Sequence, residues 1–301
     1  MNRFQRVLLA TFTAYAGAFV SSRDAFAADR LLLCGGPQVR EVEVQNQGGS
    51  AHFALVWHWR PEESKAIPTK FLPRLSTVDD CKPSADGKEI MISSSAGGVA
   101  IVSYPQGEAL FYASVPNAHS ITSLPNGLIV AAASVQAEGN RLMLFDREDS
   151  DAPIFSLPLK GAHGVTWDDH RKVLWALGDE ELLRLSVKDS NKTILVEKRY
   201  PIEHRGGHDL VLAKDGRSLF VTTSSRPLTF DIETETFSIY QPLAGFEDVK
   251  SLSFNPETGQ LAYTRADPRV WWTYTVRFLN PAMDIPLESE TYKVRWSAAT
   301  R

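Results

Sequence analysis

The sequence predicts an all-β fold, a six-bladed β-propeller, and three observations indicate it. Short runs rich in Val, Ile, Leu, Phe and Trp alternate with Gly, Asn, Asp and Pro turns from residue 30 to the end. Six related segments recur at intervals of 40, 44, 45, 42 and 42 residues, and such a period is typical of a four-stranded propeller blade. The sixth segment ends after one strand, while residues 30–60 supply three further strands.

The first 27 residues have the pattern of a secretory signal peptide. Arg3 and Arg6 give a basic start, residues 7–20 are apolar, and Ala25-Phe26-Ala27 matches the small-x-small cleavage rule. A membrane anchor is the alternative, but the apolar run is shorter than the roughly 20 residues that a span needs. We therefore expect a signal peptide over residues 1–27 and a single propeller domain over residues 28–301, exported to the periplasm or secreted.

One residue marks the start of the first strand in each repeat. Apolar or packing residues follow two and four positions later, and most repeats continue through a polar-Gly turn into a second apolar strand. The six marked residues are Asp79, His119, His163, His208, Lys250 and Tyr292. The C-terminal strand should pair with the N-terminal blade of residues 30–60, because this closure removes the open sheet edge of an unclosed ring.

The six marked residues are expected to form a ring around one mouth of the central channel. The innermost strand of each blade lines the channel, so equivalent positions in successive blades point to a common axis. Every marked side chain is titratable, and three of the seven histidines occupy the same phase of three consecutive blades.

Three hypotheses for this ring stay open. The three imidazoles, with Asp79, suit one divalent transition metal, which is the expected cofactor. Alternatively, one histidine is a general base, Tyr292 is the acid and Lys250 is a charge clamp. These two hypotheses overlap, because a metal or a lysine can neutralise a substrate carboxylate and acidify its α-proton. In the third hypothesis the polar ring only holds channel water.

Arginine and tryptophan side chains are expected around the same mouth. The loops that join the second and third strands of the blades lie there, including residues 93–98, 133–141, 223–228 and 264–272. Arginine recognises carboxylate or sulfate in a fork geometry, and tryptophan faces stack on sugar rings. The candidate substrate-binding residues are Arg205, Arg226, Arg265, Arg269 and Trp271. Such a set suits an acidic saccharide better than a neutral metabolite.

Other segments receive structural interpretations. Trp57 and Trp59 are expected to pack against a neighbouring blade, and His52 and His170 are not ligand candidates. Residues 60–78 are either a solvated loop or a basic flap over one face.

The two cysteines, Cys34 and Cys81, leave two states open. An exported protein allows a single disulfide between them. Two buried, unpaired thiols are the slightly favoured expectation, because Cys is among the most buried residue types.

Several function classes are disfavoured. A net charge of −4 argues against a protein built mainly to bind nucleic acid. The sequence has no GxSxG, HExxH, P-loop or dinucleotide fingerprint.

With its LLLCGG, VWHW and AH/GH segments, the sequence resembles a family of secreted bacterial propellers of uncharacterised function. More distantly, it is similar in architecture to polysaccharide-lyase propellers such as the oligogalacturonate and ulvan lyases, at His119, His163, His208 and Tyr292. That resemblance implies a metal or a His/Tyr acid–base set with arginine clamps on uronates. Six-bladed lactonases of the gluconolactonase type differ, since their metal shell of Glu, Asn and Asp is not matched here.

The favoured function is an exported carbohydrate-active propeller that acts on an acidic glycan by lyase-type β-elimination, with or without a metal. Its expected partner is an acidic saccharide, substrate or ligand, with no nucleic acid and no membrane span after signal cleavage. The alternative is a non-catalytic envelope propeller that binds a glycan or a protein.

Overall fold

The structure is a computed structural model that describes residues 30–47, 50–149, 152–188, 190 and 192–297. The expected signal peptide over residues 1–27 lies outside these described residues. Within them, no helix has the length and apolar character needed to cross a membrane.

Six four-stranded antiparallel sheets form the blades of a propeller, which confirms the predicted fold class. Blade 1 consists of β1 (Arg30–Gly35), β2 (Gln38–Gln47), β3 (Ser50–Trp59) and the C-terminal β24 (Lys293–Trp296). Blade 2 consists of β4 (Val78–Pro83), β5 (Glu89–Ser94), β6 (Gly98–Ser103) and β7 (Ala109–Ser114). Blade 3 consists of β8 (Ala118–Ser123), β9 (Leu128–Ala133), β10 (Arg141–Asp146) and β11 (Phe155–Pro158).

The remaining blades repeat this arrangement. Blade 4 consists of β12 (Gly164–Asp168), β13 (Val173–Leu177), β14 (Glu181–Lys188) and β15 (Thr193–Pro201). Blade 5 consists of β16 (Gly207–Leu212), β17 (Ser218–Thr223), β18 (Pro227–Asp231) and β19 (Thr236–Ile239). Blade 6 consists of β20 (Val249–Phe254), β21 (Leu261–Arg265), β22 (Thr273–Leu279) and β23 (Met283–Thr291). Short 3-10 helices cover Pro61–Glu63, Thr69–Leu75 and Gln241–Leu243.

Ring closure occurs where the sequence predicts it. The C-terminal strand β24 pairs antiparallel with β1, with Leu31 opposite Trp296 and Cys34 opposite Lys293. It is therefore the innermost strand of a blade whose other three strands come from the N-terminal segment. The pairing satisfies backbone groups that an unclosed ring would leave at two open edges.

Cys34 and Cys81 form a disulfide, so the slightly favoured expectation of two free thiols is wrong. The cysteines lie on β1 and β4, and ring closure brings their Cα atoms to 5.7 Å, within disulfide range. The bond ties blade 1 to blade 2 and fits an oxidising compartment.

The interface between blades 1 and 2 also buries tryptophan. The indole Nε1 of Trp59 donates to the Gly107 carbonyl at 2.9 Å, and that of Trp57 donates to the Pro105 carbonyl at 2.8 Å. Both rings therefore pack against the neighbouring blade, as their alternation in β3 predicts.

The connection over residues 60–78 combines features of its two predicted states. Its apolar residues Phe71 and Leu75 are buried against blade 2, whereas Lys65, Lys70 and Arg74 are exposed. It therefore packs as a surface segment through its apolar side and keeps its basic side chains in solvent.

A buried ionic cluster crosses the channel axis. The Arg295 guanidinium on β24 binds the Asp80 carboxylate at 2.9 and 3.0 Å and the Asp209 carboxylate at 2.6 and 2.7 Å. Lys293 is fully buried and donates to Asp209 Oδ1 at 3.2 Å. Burial alone would lower the pKa of Arg295, but the carboxylates of Asp209 and Asp80 outweigh it and raise that pKa.

Replacing the Arg295 guanidinium should destabilise the folded protein. We expect Arg295→Met to lower the free energy of unfolding by about 3–5 kcal/mol, because two buried carboxylates lose their main partner. The matched control is Arg226→Met at an exposed loop position, which should change it by less than about 0.5 kcal/mol. Urea unfolding curves measure the free energy of unfolding of both variants. Equal stability of the two variants would show that Arg295 does not stabilise the buried carboxylates.

Candidate functional site

Four of the six marked residues lie in β-bulges at the start of an inner strand. The register between the first and second strands shifts by one residue at Asp79, His119, His208 and Lys250, so each of these residues has no partner of its own. A bulge bends the strand and changes the direction of the extra side chain. The same local irregularity therefore places one titratable group per blade at the channel mouth.

His163 and Tyr292 occupy the equivalent position without an assigned bulge. Each lies one residue before its inner strand and donates its backbone N–H to the second strand, His163 to the Leu177 carbonyl at 2.9 Å and Tyr292 to the Cys34 carbonyl at 2.7 Å. The alignment of six repeats thus brings six residues to equivalent places in the ring.

Glycine allows the inner strands to approach their neighbours at this mouth. A Cβ on Gly207, next to His208, would lie 2.4 Å from the Gly178 carbonyl oxygen and 2.8 Å from Leu177 Cγ of blade 4. A Cβ on Gly164, next to His163, would lie 2.6 Å from Leu210 Cβ of blade 5. The glycines beside His163 and His208 are therefore required by close packing between blades.

Above the ring lies a cavity of about 500 Å³, called the cup below. Its wall includes the rim residues Val135 and Trp271, which are 66% and 72% exposed. Its lining also includes Asp79, Asn117, His119, Ser134, His163, His208, Trp272 and Tyr292. The predicted loops 93–98, 133–141 and 264–272 all contribute to it, and the 223–228 loop reaches the ring through a 3.1 Å hydrogen bond between Ser224 and His208.

The three histidines are in direct contact with one another. The rings of His119 and His163 stack with centroids 4.0 Å apart and planes 19° apart. The His208 ring meets His163 edge-on at 5.6 Å, and the Tyr292 ring lies 6.1 Å from His119.

Hydrogen bonds define the tautomer of His163. Its Nδ1 lies 3.2 Å from the Gly161 carbonyl oxygen and 2.9 Å from Ser134 Oγ. A carbonyl only accepts, so Nδ1 carries the proton and the lone pair of the neutral ring is at Nε2. No protein group in the described part of the chain bonds to Nε2, and His163 lines the cup.

The other two histidines are oriented differently. His119 Nε2 bonds to Asn117 Oδ1 at 3.1 Å, while its buried Nδ1 has no hydrogen-bond partner among the described residues. His208 Nε2 accepts from the Lys250 ammonium at 2.9 Å and contacts Ser224 Oγ at 3.1 Å. Lys250 thereby holds the His208 proton at Nδ1.

The ring is held in a largely neutral state. Burial, with a contribution from the Lys293 ammonium, lowers the pKa of His163 to about 4. Burial also lowers the pKa of His119 and His208 well below their ordinary value. Burial raises the pKa of Tyr292 well above 10 and raises that of Asp79 to about 7. At neutral pH the three imidazoles are therefore uncharged and the phenol keeps its proton.

The histidine geometry does not fit the expected metal site. The stacked rings of His119 and His163 lie face to face, whereas a tetrahedral metal requires lone pairs that converge on one point. The described residues include no group of three or more His, Cys, Asp or Glu side chains placed to hold a metal ion. Metal binding by the three histidines and Asp79 stays a prediction, which elemental mass spectrometry on the protein and its triple alanine variant would check.

A second cavity of about 460 Å³, the side pocket, adjoins the cup at Trp271, which lines both. The lining of the side pocket includes Asp248, Lys250, Arg265, Asp267, Arg269, Trp271 and Arg277. It thus contains three of the five candidate substrate-binding residues, Arg265, Arg269 and Trp271. It also places Lys250 outside the cup, although the Lys250 ammonium contacts His208.

Arg205 and Arg226 line neither of these two cavities. The Arg205 guanidinium is exposed and pairs with Glu180 at 3.1 Å. Arg226 is exposed in the 223–228 turn, where its backbone N–H donates to Thr223 Oγ1 at 3.0 Å. Arg205 and Arg226 were predicted as binding residues because they lie in or next to loops near the mouth. A position in a loop does not determine where a long side chain points.

Sequence reasoning also missed the groups that orient the ring. Asn117 lies in the turn before β8 and Ser134 directly follows β9, and neither position has a distinguishing sequence pattern. The ionic cluster below the ring had a signal: Asp80 and Asp209 each follow a marked residue directly, and Lys293 and Arg295 alternate along a short inner strand. Charges at these positions in an otherwise apolar strand indicate buried pairing.

Fold and mouth together define a six-bladed β-propeller with a histidine-lined cup. The chain belongs to the family of unknown function DUF6528, whose model matches residues 39–298. No curated protein matches the sequence. Among solved structures, a chain of the "Crystal structure of Nidogen/Laminin Complex" is similar with a TM-score of 0.63 and 11% identity, covering 90% of this chain and 99% of that chain. At this identity the likeness shows the fold alone, since propellers host many unrelated functions.

The raised pKa of Asp79 gives a testable pH dependence. Between its ordinary value of 3.8 and its folded value of about 7, the folded protein keeps a proton that the unfolded chain releases. Its contribution to stability is therefore present at low pH and is lost as the pH rises through about 7. Asp79→Asn, which cannot ionise, should gain melting temperature relative to the wild type as the pH rises over this range.

The control for this experiment is Asp284→Asn, at an exposed position of β23. Any pH dependence that Asp79→Asn and Asp284→Asn share is not due to burial of the Asp79 carboxyl. A melting-temperature difference between Asp79→Asn and the wild type that does not change with pH would show that the Asp79 pKa is not raised in the folded protein.

Proposed function

We propose that this protein is an exported propeller that binds an acidic saccharide in the cup and cleaves it by β-elimination. The observation that carries the proposal is the pairing of two unengaged proton-transfer atoms in one cavity. His163 presents the Nε2 lone pair of a neutral imidazole, and the Tyr292 hydroxyl has no hydrogen-bond partner among the described residues. Such a pair supplies a base and an acid.

The proposed reaction is an elimination in which one proton is removed and one is donated. His163 Nε2 takes the proton α to the carboxylate of a uronate ring, and the C–H electron pair forms a double bond to the neighbouring β-carbon. The glycosidic C–O bond at that carbon breaks, and its electrons leave with the oxygen, which Tyr292 protonates. The His163 imidazolium then releases its proton to solvent, and the Tyr292 phenolate takes up a proton from solvent. Both groups are thereby restored.

The chemistry around the cup supports an acidic sugar as the ligand. Trp271 is 72% exposed at the rim, where its face is available to stack on a pyranose ring. Arg265 and Arg269 lie in the adjoining side pocket and supply forked donors for a carboxylate. The Cys34–Cys81 disulfide supports the exported location.

Binding without turnover is the alternative function, and one observation favours it. A pKa of about 4 keeps His163 neutral but makes it a weak base. A substrate carboxylate close to the ring would raise this pKa, because a nearby negative charge favours the imidazolium. Product formation therefore separates the two functions.

Substitution of the acid–base pair tests the proposal. The purified chain is incubated with oligogalacturonate and with other uronate-containing oligosaccharides, and unsaturated product is followed by ultraviolet absorbance. We expect His163→Gln and Tyr292→Phe each to lower kcat by about 100-fold or more. Wild-type kcat/KM, which reports the protein without bound substrate, should also fall below about pH 4, where His163 takes up a proton.

The control variant is His170→Gln, at an exposed position in the turn after β12, which should keep full activity. Full activity in His163→Gln would overturn the assignment of the base. Tight binding with no product from any saccharide would support the non-catalytic alternative instead.

A further inference from the structure

We infer that the side pocket is a separate subsite that binds one oxyanion, a carboxylate or a sulfate ester, of the saccharide unit next to the one in the cup. The anion site follows from the side pocket itself, and only its assignment to a neighbouring saccharide unit rests on the proposed function. Arg277 and Lys250 both line this anion site.

The charges of the side pocket are unbalanced. Four cationic side chains line it, from Lys250, Arg265, Arg269 and Arg277, against two acidic ones from Asp248 and Asp267. A surplus of two positive charges in one concave site attracts an anion, because the walls limit screening by water.

Both acidic side chains of the side pocket already accept hydrogen bonds from protein groups. Asp248 Oδ1 accepts from the Lys250 ammonium at 3.1 Å. Asp267 accepts from the Thr273 hydroxyl and from the Tyr274 backbone N–H, each at 3.0 Å. The Arg277 guanidinium comes only to 3.9 Å of Asp267, so that pair is weak.

The arginines keep donors free for a ligand. In the described ranges Arg269 makes no hydrogen bond and no ion pair through its side chain, and it is exposed. Among the described residues, the Arg265 side chain makes one hydrogen bond, from its Nε to the Glu247 carbonyl at 3.0 Å, while its guanidinium lies 5.3 Å from the centre of the Phe246 ring. The contacts of Arg277 with Thr273 and Thr275 are long, at 3.4 Å each. A forked oxyanion could therefore take several unused N–H groups.

The side pocket and the cup can hold one continuous ligand. Trp271 lines both cavities, and the Lys250 ammonium links them by bonding to Asp248 on one side and His208 on the other. The volumes, about 460 and 500 Å³, are each in the range of small-molecule sites. A saccharide whose reacting unit lies in the cup would thus extend sideways over Trp271 and place its neighbouring anionic group among the arginines.

The anion site is tested without any saccharide. Melting temperatures are measured against increasing sodium sulfate, and separately sodium acetate, with sodium chloride added to keep the ionic strength constant. The proteins are the wild type, Arg269→Gln/Arg277→Gln, and the charge-matched control Arg205→Gln/Arg226→Gln, whose arginines lie outside both cavities. Sulfate stabilises proteins generally by exclusion from their surface, but that effect does not saturate.

We expect a saturable rise in melting temperature for the wild type and the control, which is lost in Arg269→Gln/Arg277→Gln, because only binding to the folded state saturates. Saturation with acetate would assign a carboxylate ligand, and saturation with sulfate alone would assign a sulfate ester. An equal saturable rise in all three proteins, or none in the wild type, would overturn the anion site.

The second arm tests the extension of the ligand. For an acidic oligosaccharide that the wild type binds, the Arg269→Gln/Arg277→Gln variant should weaken binding by about tenfold or more for a dimer or longer. It should leave binding of the matching monosaccharide, which fills the cup alone, within about twofold of the wild type. Equal weakening for monomer and oligomer would overturn the adjacent-unit assignment while leaving the anion site intact. Failure of every saccharide to bind, with a saturable sulfate response, would count against the proposed function alone.

Discussion

The buried ionic cluster of Arg295 and Lys293 with Asp80 and Asp209 is the interaction on which the rest of the molecule depends. Both cations come from the C-terminal strand, and the carboxylates come from blades 2 and 5 on other sides of the channel. Because the pairs form only when that strand has completed blade 1, ring closure and charge neutralisation occur together. The cluster also fills the channel beneath the mouth, so the cavity above it is a cup rather than a pore.

The same cluster determines the chemistry of the cup. Burial is the largest cause of the lowered pKa of His119, His163 and His208, and the Lys293 ammonium contributes to all three. Burial, with a smaller contribution from the Lys293 ammonium beneath the cup, thus keeps the three imidazoles uncharged. Neutral imidazoles can stack, as His119 and His163 do, whereas two imidazolium rings at 4.0 Å would repel each other. At neutral pH, His163 therefore has a lone pair available to accept a proton, and Tyr292 keeps the phenol proton that it can donate.

The sequence predicted the fold and the ring because both are periodic. One position per repeat recurs six times, and symmetry converts equal positions in the chain into neighbours in space. The bulges that orient Asp79, His119, His208 and Lys250 have no such signature, so the cup and the side pocket could not be told apart from the sequence. The directions of Arg205 and Arg226 depend on side-chain rotamers in single loops. The disulfide depends on how closely β1 and β4 approach, which spacing along the chain does not give.

The proposed chemistry requires His163 to be a neutral base with its lone pair facing the cup, and ¹⁵N NMR of histidine-labelled protein reports both properties. Spectra of the wild type and of His163→Gln assign the resonance, and a pH titration reports its tautomer and charge. We expect a neutral ring protonated at Nδ1 that takes up a second proton only near pH 4. An Nε2-protonated tautomer, or titration near the ordinary histidine value of 6.5, would contradict the account.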